Sequence, residues 1–152
     1  MAKQSAGLLL YRKQGNKLEV FLVHPGGPLW VKRDLEAWSI PKCEFDAEEA
    51  LLAAKREFYE ETGVRAPQGE YIPLKPVQQK SGKIVHAWAV KGEIDAEEVY
   101  SNDFEMEWPP GSGKIGSFPE IDRAAWFSVE EAQQKINSGQ VGLIHELLEK
   151  LQ

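Results

Sequence analysis

The segment from Asp46 to Gly63, DAEEALLAAKREFYEETG, constrains the fold more than any other stretch of the chain. At about 100° per residue, Ala50, Leu51, Ala54 and Phe58 share one apolar arc, which predicts a helix from about Ala47 to Thr62 packed against a sheet. Asp46 stands three residues before Glu49, as in a capping box, and Gly63 suits a left-handed exit from the helix. Glu57, Glu60 and Glu61 occupy the neighbouring arc at i, i+3 and i+4, so their carboxylates point to one side. Like charges at these spacings cost a helix about 0.2–0.5 kcal/mol per pair. Two readings follow from spacing alone: a solvated acidic face, or a site for a hard divalent cation, which prefers carboxylate oxygens.

The flanking segments supply the sheet. GLLLY within Ser5–Arg12 and LEVFLV within Leu18–His24 read as strands joined by a turn at Gln14–Lys17. HPGGPLWVKRDLEAW follows with no sustained period and reads as a surface loop. Tyr71–Gln79 and Ile84–Val90 are predicted as a second hairpin around Lys80–Lys83. Asn102–Phe118, with Pro109-Pro110 and three glycines, reads as a long irregular excursion, before a short strand at Ala124–Phe127. Ser128 is placed to cap a helix, and Gly142–Leu151 carries Leu143, Ile144, Leu147 and Leu148 on one stripe of a last helix. Helices on a mixed sheet are the expected architecture.

Composition limits the partners. With 152 residues and 42% hydrophobic content the chain is expected to form a single domain over 1–152. Its net charge of -6 argues against nonspecific binding to a nucleic acid polymer or an anionic membrane surface. One cysteine, Cys43, allows no intrachain disulfide and fits a reducing compartment, so a cytoplasmic location is expected. The apolar run Ala6–Tyr11 is too short to span a bilayer and lacks a signal-peptide layout.

REFYEETGV, Arg56–Val64, fits R-E-(apolar)-x-E-E-x-G-(apolar), and with the preceding WSIPK it resembles the signature of the Nudix hydrolases. The resemblance implies the Nudix fold, an α/β/α sandwich with a mixed parallel and antiparallel sheet. It also implies metal-dependent hydrolysis of a nucleoside diphosphate-linked substrate, a nucleoside triphosphate or dinucleoside polyphosphate, with Mg²⁺ or Mn²⁺ as cofactor. By the same resemblance Glu57, Glu60 and Glu61 are metal carboxylates and Arg56 orients them. FPEIDRAAWF resembles the family segment in which a glutamate six residues before a Trp serves as metal ligand or base, which selects Glu120 over Glu105, Glu107 and Asp122. Two departures stand out: Cys43 occupies the position where the family's box opens with Gly, and that opening is one residue short. They leave open an alternative, a noncatalytic nucleotide-binding or protein-interaction module on the same fold.

Other candidates come from residue chemistry. Lys42 could meet a phosphate as a point charge, as could Lys32 and Arg33, and Trp30, Trp38 and Tyr71 could stack a nucleobase. Each has a structural alternative, since five tryptophans in so small a chain must largely be core. GSGKIG, Gly111–Gly116, satisfies GxGxxG without the strand before and helix after it that a dinucleotide site needs, and is read as a loop that could close over substrate. His24, His86 and His145 share no ligand spacing and are read as structural. Monomer and homodimer both remain open.

Overall fold

A computed structural model describes residues 3–46 and 48–151. The order of elements is β1 (Gln4–Gln14), β2 (Lys17–Pro25), β3 (Lys42–Glu44), α1 (Ala50–Thr62), β4 (Ile72–Pro73), β5 (Val77–Gln78), β6 (Ile84–Lys91), β7 (Asp103–Glu107), β8 (Ile115–Pro119), β9 (Ile121–Ser128), α2 (Val129–Lys135) and α3 (Val141–Lys150). The main sheet runs β4-β6-β1-β2-β9, with β3 paired to β1 and β5 to β6. β1 and β6 are parallel and the other pairs antiparallel, so the sheet is mixed as expected.

The unbroken apolar run of β1 follows from its central place with helices on both faces. Ala6, Leu8 and Leu10 pack with Phe21, Ala53, Ala54 and Phe58 on the α1 side. Leu9 packs with Val20, Leu22, Leu143, Ile144 and Leu147 on the α2–α3 side. This is the α/β/α sandwich. Truncating the fully buried Phe58 to Ala would cost about 3–5 kcal/mol, because its ring joins α1 to the sheet.

Several local expectations need correction. The described part of α1 begins at Ala50, and Ala47 lies outside the described residues. Glu49, rather than Asp46, is the N-cap, and its side chain makes no capping bond among the described residues. The buried stripe of α1 is Ala53, Ala54, Phe58 and Thr62, with Ala50 and Leu51 only partly covered. Gly63 does leave in the left-handed region, φ 79°, its N–H donating to the Tyr59 carbonyl at 2.8 Å. The strand predicted over Tyr71–Gln79 is broken into β4 and β5, both paired to β6. The excursion at Asn102–Phe118 is an ordered ribbon in which β7 and β8 pair from Asp103–Pro119 to Glu107–Ile115. Its alternation, Phe104 and Met106 against Asp103, Glu105 and Glu107, is too short to stand out beside the prolines and glycines. The GxGxxG segment is the tip of this hairpin: Gly111 and Gly113 have positive φ, and their N–H groups donate to the two Glu107 carboxylate oxygens at 2.8 and 3.2 Å. Glu107 is therefore occupied in holding a turn. The capping by Ser128 and the apolar stripe of α3 appear as predicted, with Leu148 partly covered. Among the described residues no helix is long and apolar enough to cross a membrane.

Candidate active site

The acidic arc of α1 divides into two environments. On the outer side Arg56 pairs with Glu48, with Glu57 at 3.3 Å and with Glu60 at 3.7 Å. One guanidinium thus gathers three carboxylates, Glu48, Glu57 and Glu60. Burial raises the pKa of Glu57, and Glu60 raises it further. Toward the sheet Glu61 enters a cleft of about 260 Å³ that is also lined by Lys42, Trp30, Gln79, Gln140 and Glu120. Burial pushes the Glu61 carboxyl up to about 8; Lys42 opposes the shift, while Glu57 and Glu120 add to it. Burial lowers the pKa of Lys42, aided by Lys83 and opposed by Glu61 and Glu44. Desolvation therefore outweighs the mutual attraction of Lys42 and Glu61, and each moves toward its neutral form.

Lys42 and Cys43 lie on β3, opposite Gly7 and Ala6 of β1. Cys43 has no positive φ, and Glu36 is the one described non-glycine residue that does. The glycine that matters at this crossing is Gly7, where a Cβ would meet the Pro41 carbonyl oxygen at 2.5 Å and the Lys42 Cβ at 2.7 Å. Cys43 itself sits in ordinary strand backbone, paired with Ala6. Burial and the neighbouring Glu57 carboxylate push the Cys43 thiol up to about 12, leaving it a neutral, inert side chain.

The opposite wall is built by two interlocked loops. Glu120 lies between β8 and β9, its N–H donating to the Asn102 carbonyl and its carbonyl accepting from Gly26, both at 2.9 Å. The loop after β2 is fastened by His24, whose ring lies between Asp122 Oδ1 at 2.7 Å and the Arg33 carbonyl at 2.6 Å. Asp34 holds it again, accepting from Trp38 Nε1 at 2.8 Å and pairing with Lys135. Asp122 and His24 thus serve the scaffold, and Trp30 is carried on an anchored loop.

The NUDIX domain profile matches residues 1–147. The chain belongs to the Nudix family. Solved structures share its fold at low sequence identity. A C. elegans Ap4A hydrolase in a binary complex is 21% identical, with a TM-score of 0.66 over 97% of this chain and 96% of that one. The NUDIX domain of Shewanella oneidensis NrtR, complexed with ADP ribose, is 15% identical, with a TM-score of 0.66 over 100% and 90%. The E. coli ORF135 protein is 21% identical, with a TM-score of 0.58 over 97% and 89%. No curated protein matches the sequence.

For a Nudix chain the donor set is chemically suited to a hard divalent cation, since it consists of carboxylates, of which Glu57 is raised by burial and Glu60, and Glu61 by burial, Glu57 and Glu120. Among the described residues no three His, Cys, Asp or Glu side chains converge into one cluster: Arg56 pairs with Glu57 and Glu60, while Glu61 and Glu120 line the cleft. Lys42 and Trp30 do line the Nudix cleft. Trp38 also borders it, but its ring is only 4% exposed and meets His24 and Phe127 edge-on at 5.1 and 4.9 Å, so it belongs to the core. Tyr71 is elsewhere: it packs on the α1 side, its hydroxyl donating to the Pro67 carbonyl and Lys55 Nζ standing 4.4 Å over its ring. Trp38 is thus covered, and Tyr71 lies outside the cleft lining. Arg33 lies over Trp30 at 5.0 Å and supports that ring.

Sequence reasoning missed Gln140. It is fully buried at the cleft floor, its Oε1 accepting from the Ile40 N–H at 3.1 Å and its Nε2 donating to Gln79 Oε1 at 2.8 Å and Ser39 Oγ at 3.0 Å. It lies in a short turn before α3 that carries no motif, and the partners that give it meaning lie 61 to 101 residues away.

Proposed function

We propose that the protein is a metal-dependent pyrophosphohydrolase that cleaves a nucleoside diphosphate-linked substrate, a nucleoside triphosphate or dinucleoside polyphosphate, by attack of water on phosphorus. The observation that carries this reading is that Glu61, Glu120 and Lys42 line one cleft, with Glu120 near enough to act on the Glu61 carboxyl. A surface acidic helix would leave its glutamates in water, whereas Glu61 is turned into the cleft and its carboxyl is raised by burial.

Glu57, Glu60, Glu61 and Glu120 would hold Mg²⁺, or Mn²⁺ in its place. When bound, such a cation neutralises a diphosphate and lowers the pKa of a water molecule. Arg56 keeps Glu57 and Glu60 on one side of α1 by ion pairing, which fixes their direction relative to Glu61. A carboxylate oxygen of Glu120 or Glu61 accepts the proton of the attacking water. Lys42 meets a phosphate oxygen as a point charge, and Trp30 walls the cleft on the loop side.

The experiment is hydrolysis of ATP and of diadenosine tetraphosphate in ¹⁸O-labelled water with Mg²⁺, with the products read by mass spectrometry. Incorporation of one ¹⁸O into a phosphate product is expected. A product labelled on the nucleoside rather than on phosphate would contradict the proposed bond cleavage.

A further inference from the structure

A second pocket adjoins the cleft and differs from it in chemistry. It has a volume of about 380 Å³, within the range of about 300–1,000 Å³ usual for small-molecule sites, and it shares Pro25, Trp30 and Glu120 with the cleft. Its remaining walls are Gly26, Gly27, Leu29, Phe104 and Met106. Glu120 is thus the one charged side chain on the boundary, and the rest of the pocket offers aromatic, thioether and aliphatic surface.

The pocket has been assembled from two segments that are far apart in sequence. In the β7–β8 ribbon Phe104 pairs with Phe118 and Met106 with Gly116, so these side chains share one face, while Asp103, Glu105 and Glu107 are exposed on the other. Phe104 and Phe118 are tilted rings 6.0 Å apart. A two-stranded ribbon is marginal unless something covers its apolar face. The Gly26–Trp30 loop covers part of it: Gly27, at φ 98°, brings its backbone so near that a Cβ would stand 2.8 Å from Phe104 Cζ. Phe104 and Met106 stay half-covered, and Leu29 is 61% exposed at the rim.

We infer that this pocket is the base subsite, taking the planar nucleobase of a nucleotide whose phosphates occupy the neighbouring cleft. This rests on the hydrolase reading for the position of the phosphates, but not on turnover. Trp30, shared by both cavities, marks the junction between base and phosphates. Phe104, Met106 and Leu29 give the base π-face and thioether contacts that every base can use. Apart from the Glu120 carboxylate and the Trp30 indole N–H at the boundary with the cleft, no hydrogen-bonding side chain among the described residues lines the pocket, so shape and stacking govern binding and the four common bases are accepted with similar affinity.

Backbone amide NMR of the whole chain, without divalent ions, tests this with ADP, GDP, CDP and UDP as probes and inorganic pyrophosphate as the base-free comparison. Each nucleotide is expected to shift amides of β7 and β8, pyrophosphate is expected to leave them in place, and the four dissociation constants should lie within about tenfold of one another. Phe104→Ala should weaken nucleotide binding about tenfold or more and leave pyrophosphate binding unchanged. Met106→Ala and Leu29→Ala, at less covered positions, should each weaken it several-fold if Phe104→Ala does not fold. Ribbon amides unmoved by every nucleotide, unchanged affinity in the folded variants, or a preference of about a hundredfold for one base would overturn the assignment. Turnover that persists alongside any of these results would leave the hydrolase reading standing, and ribbon shifts without turnover would support the subsite against an inert centre.

Discussion

The backbone N–H of Gly26 donates to the carbonyl of Glu120 at 2.9 Å, and a Cβ at position 26 would stand 2.0 Å from the Pro119 carbonyl oxygen. The glycine lets the loop after β2 lie directly on the β8–β9 corner that carries the candidate base. Gly26→Ala must push that corner away, because the obstructing atom is backbone, and overpacking of this kind costs about 1–3 kcal/mol. A fall of kcat/KM by at least about tenfold is expected, since small displacements of positioning groups are costly in catalysis. Kinetics and thermal melting of the variant check both effects, and unchanged kinetics would separate Glu120 from the chemistry.

Glu120 and Glu107 make different predictions although both are exposed carboxylates on the same stretch. Glu120→Gln is expected to reduce turnover by about 10²-fold or more, as loss of a proton acceptor does. Glu107→Gln retains one acceptor oxygen for the Gly111–Gly113 turn and should change turnover by less than about twofold while lowering stability by about 0.5–1.5 kcal/mol. Equal, small kinetic losses would sink the assignment of Glu120.

Glu61 makes the metal-free protein sensitive to pH. Burial holds its carboxyl up to about 8, so between the ordinary carboxylate range and that value the unfolded chain has lost the proton while the folded chain keeps it. Folding stability contributed by this group therefore falls as pH rises through that window. Glu57, raised by burial, acts in the same direction. Calorimetric melting after chelation should show Tm declining from about pH 5 to about pH 8, with a flatter profile in Glu61→Gln. Added Mg²⁺ should recover Tm most at the upper end, where the carboxylates are free of protons. A Tm that rises across this range would contradict the burial of Glu61.

Cys43→Gly should not raise activity. Cys43 sits in regular pairing with Ala6, and its backbone asks nothing that glycine alone can give. The substitution should instead lower stability by about 0.5–1 kcal/mol through the extra freedom of the unfolded chain. Urea denaturation and steady-state rates of the pair measure this, and a large gain in turnover would show that the altered opening does restrain the enzyme.

What the sequence revealed, and what it hid, follows the range of the interactions. The exit of α1 at Gly63, the capping of α2 by Ser128 and the stripe of α3 depend on neighbours within a few residues, and all were legible. Glu61 and Glu120 were legible as candidates through local patterns, but their meeting in one cleft was not. Trp38 and Tyr71 were indistinguishable from Trp30 as aromatic candidates, because only contacts with Phe127, His24 and Lys55 show which rings are already covered. The β7–β8 ribbon looked irregular because its turn chemistry dominates five-residue strands. Gln140 and the two glycines of HPGG have meaning only through partners far along the chain.

The central claim is that Glu61 and its neighbouring carboxylates run a metal-dependent hydrolysis of a nucleoside diphosphate linkage. Its most direct test is a panel of nucleoside triphosphates and dinucleoside polyphosphates, with Mg²⁺ or Mn²⁺ and after chelation, comparing the natural chain with Glu61→Gln. Turnover of at least one substrate that vanishes on chelation and falls by about 10²-fold or more in folded Glu61→Gln is the expected result. Nucleotide binding without turnover by the natural chain, or turnover equal in Glu61→Gln, would contradict it.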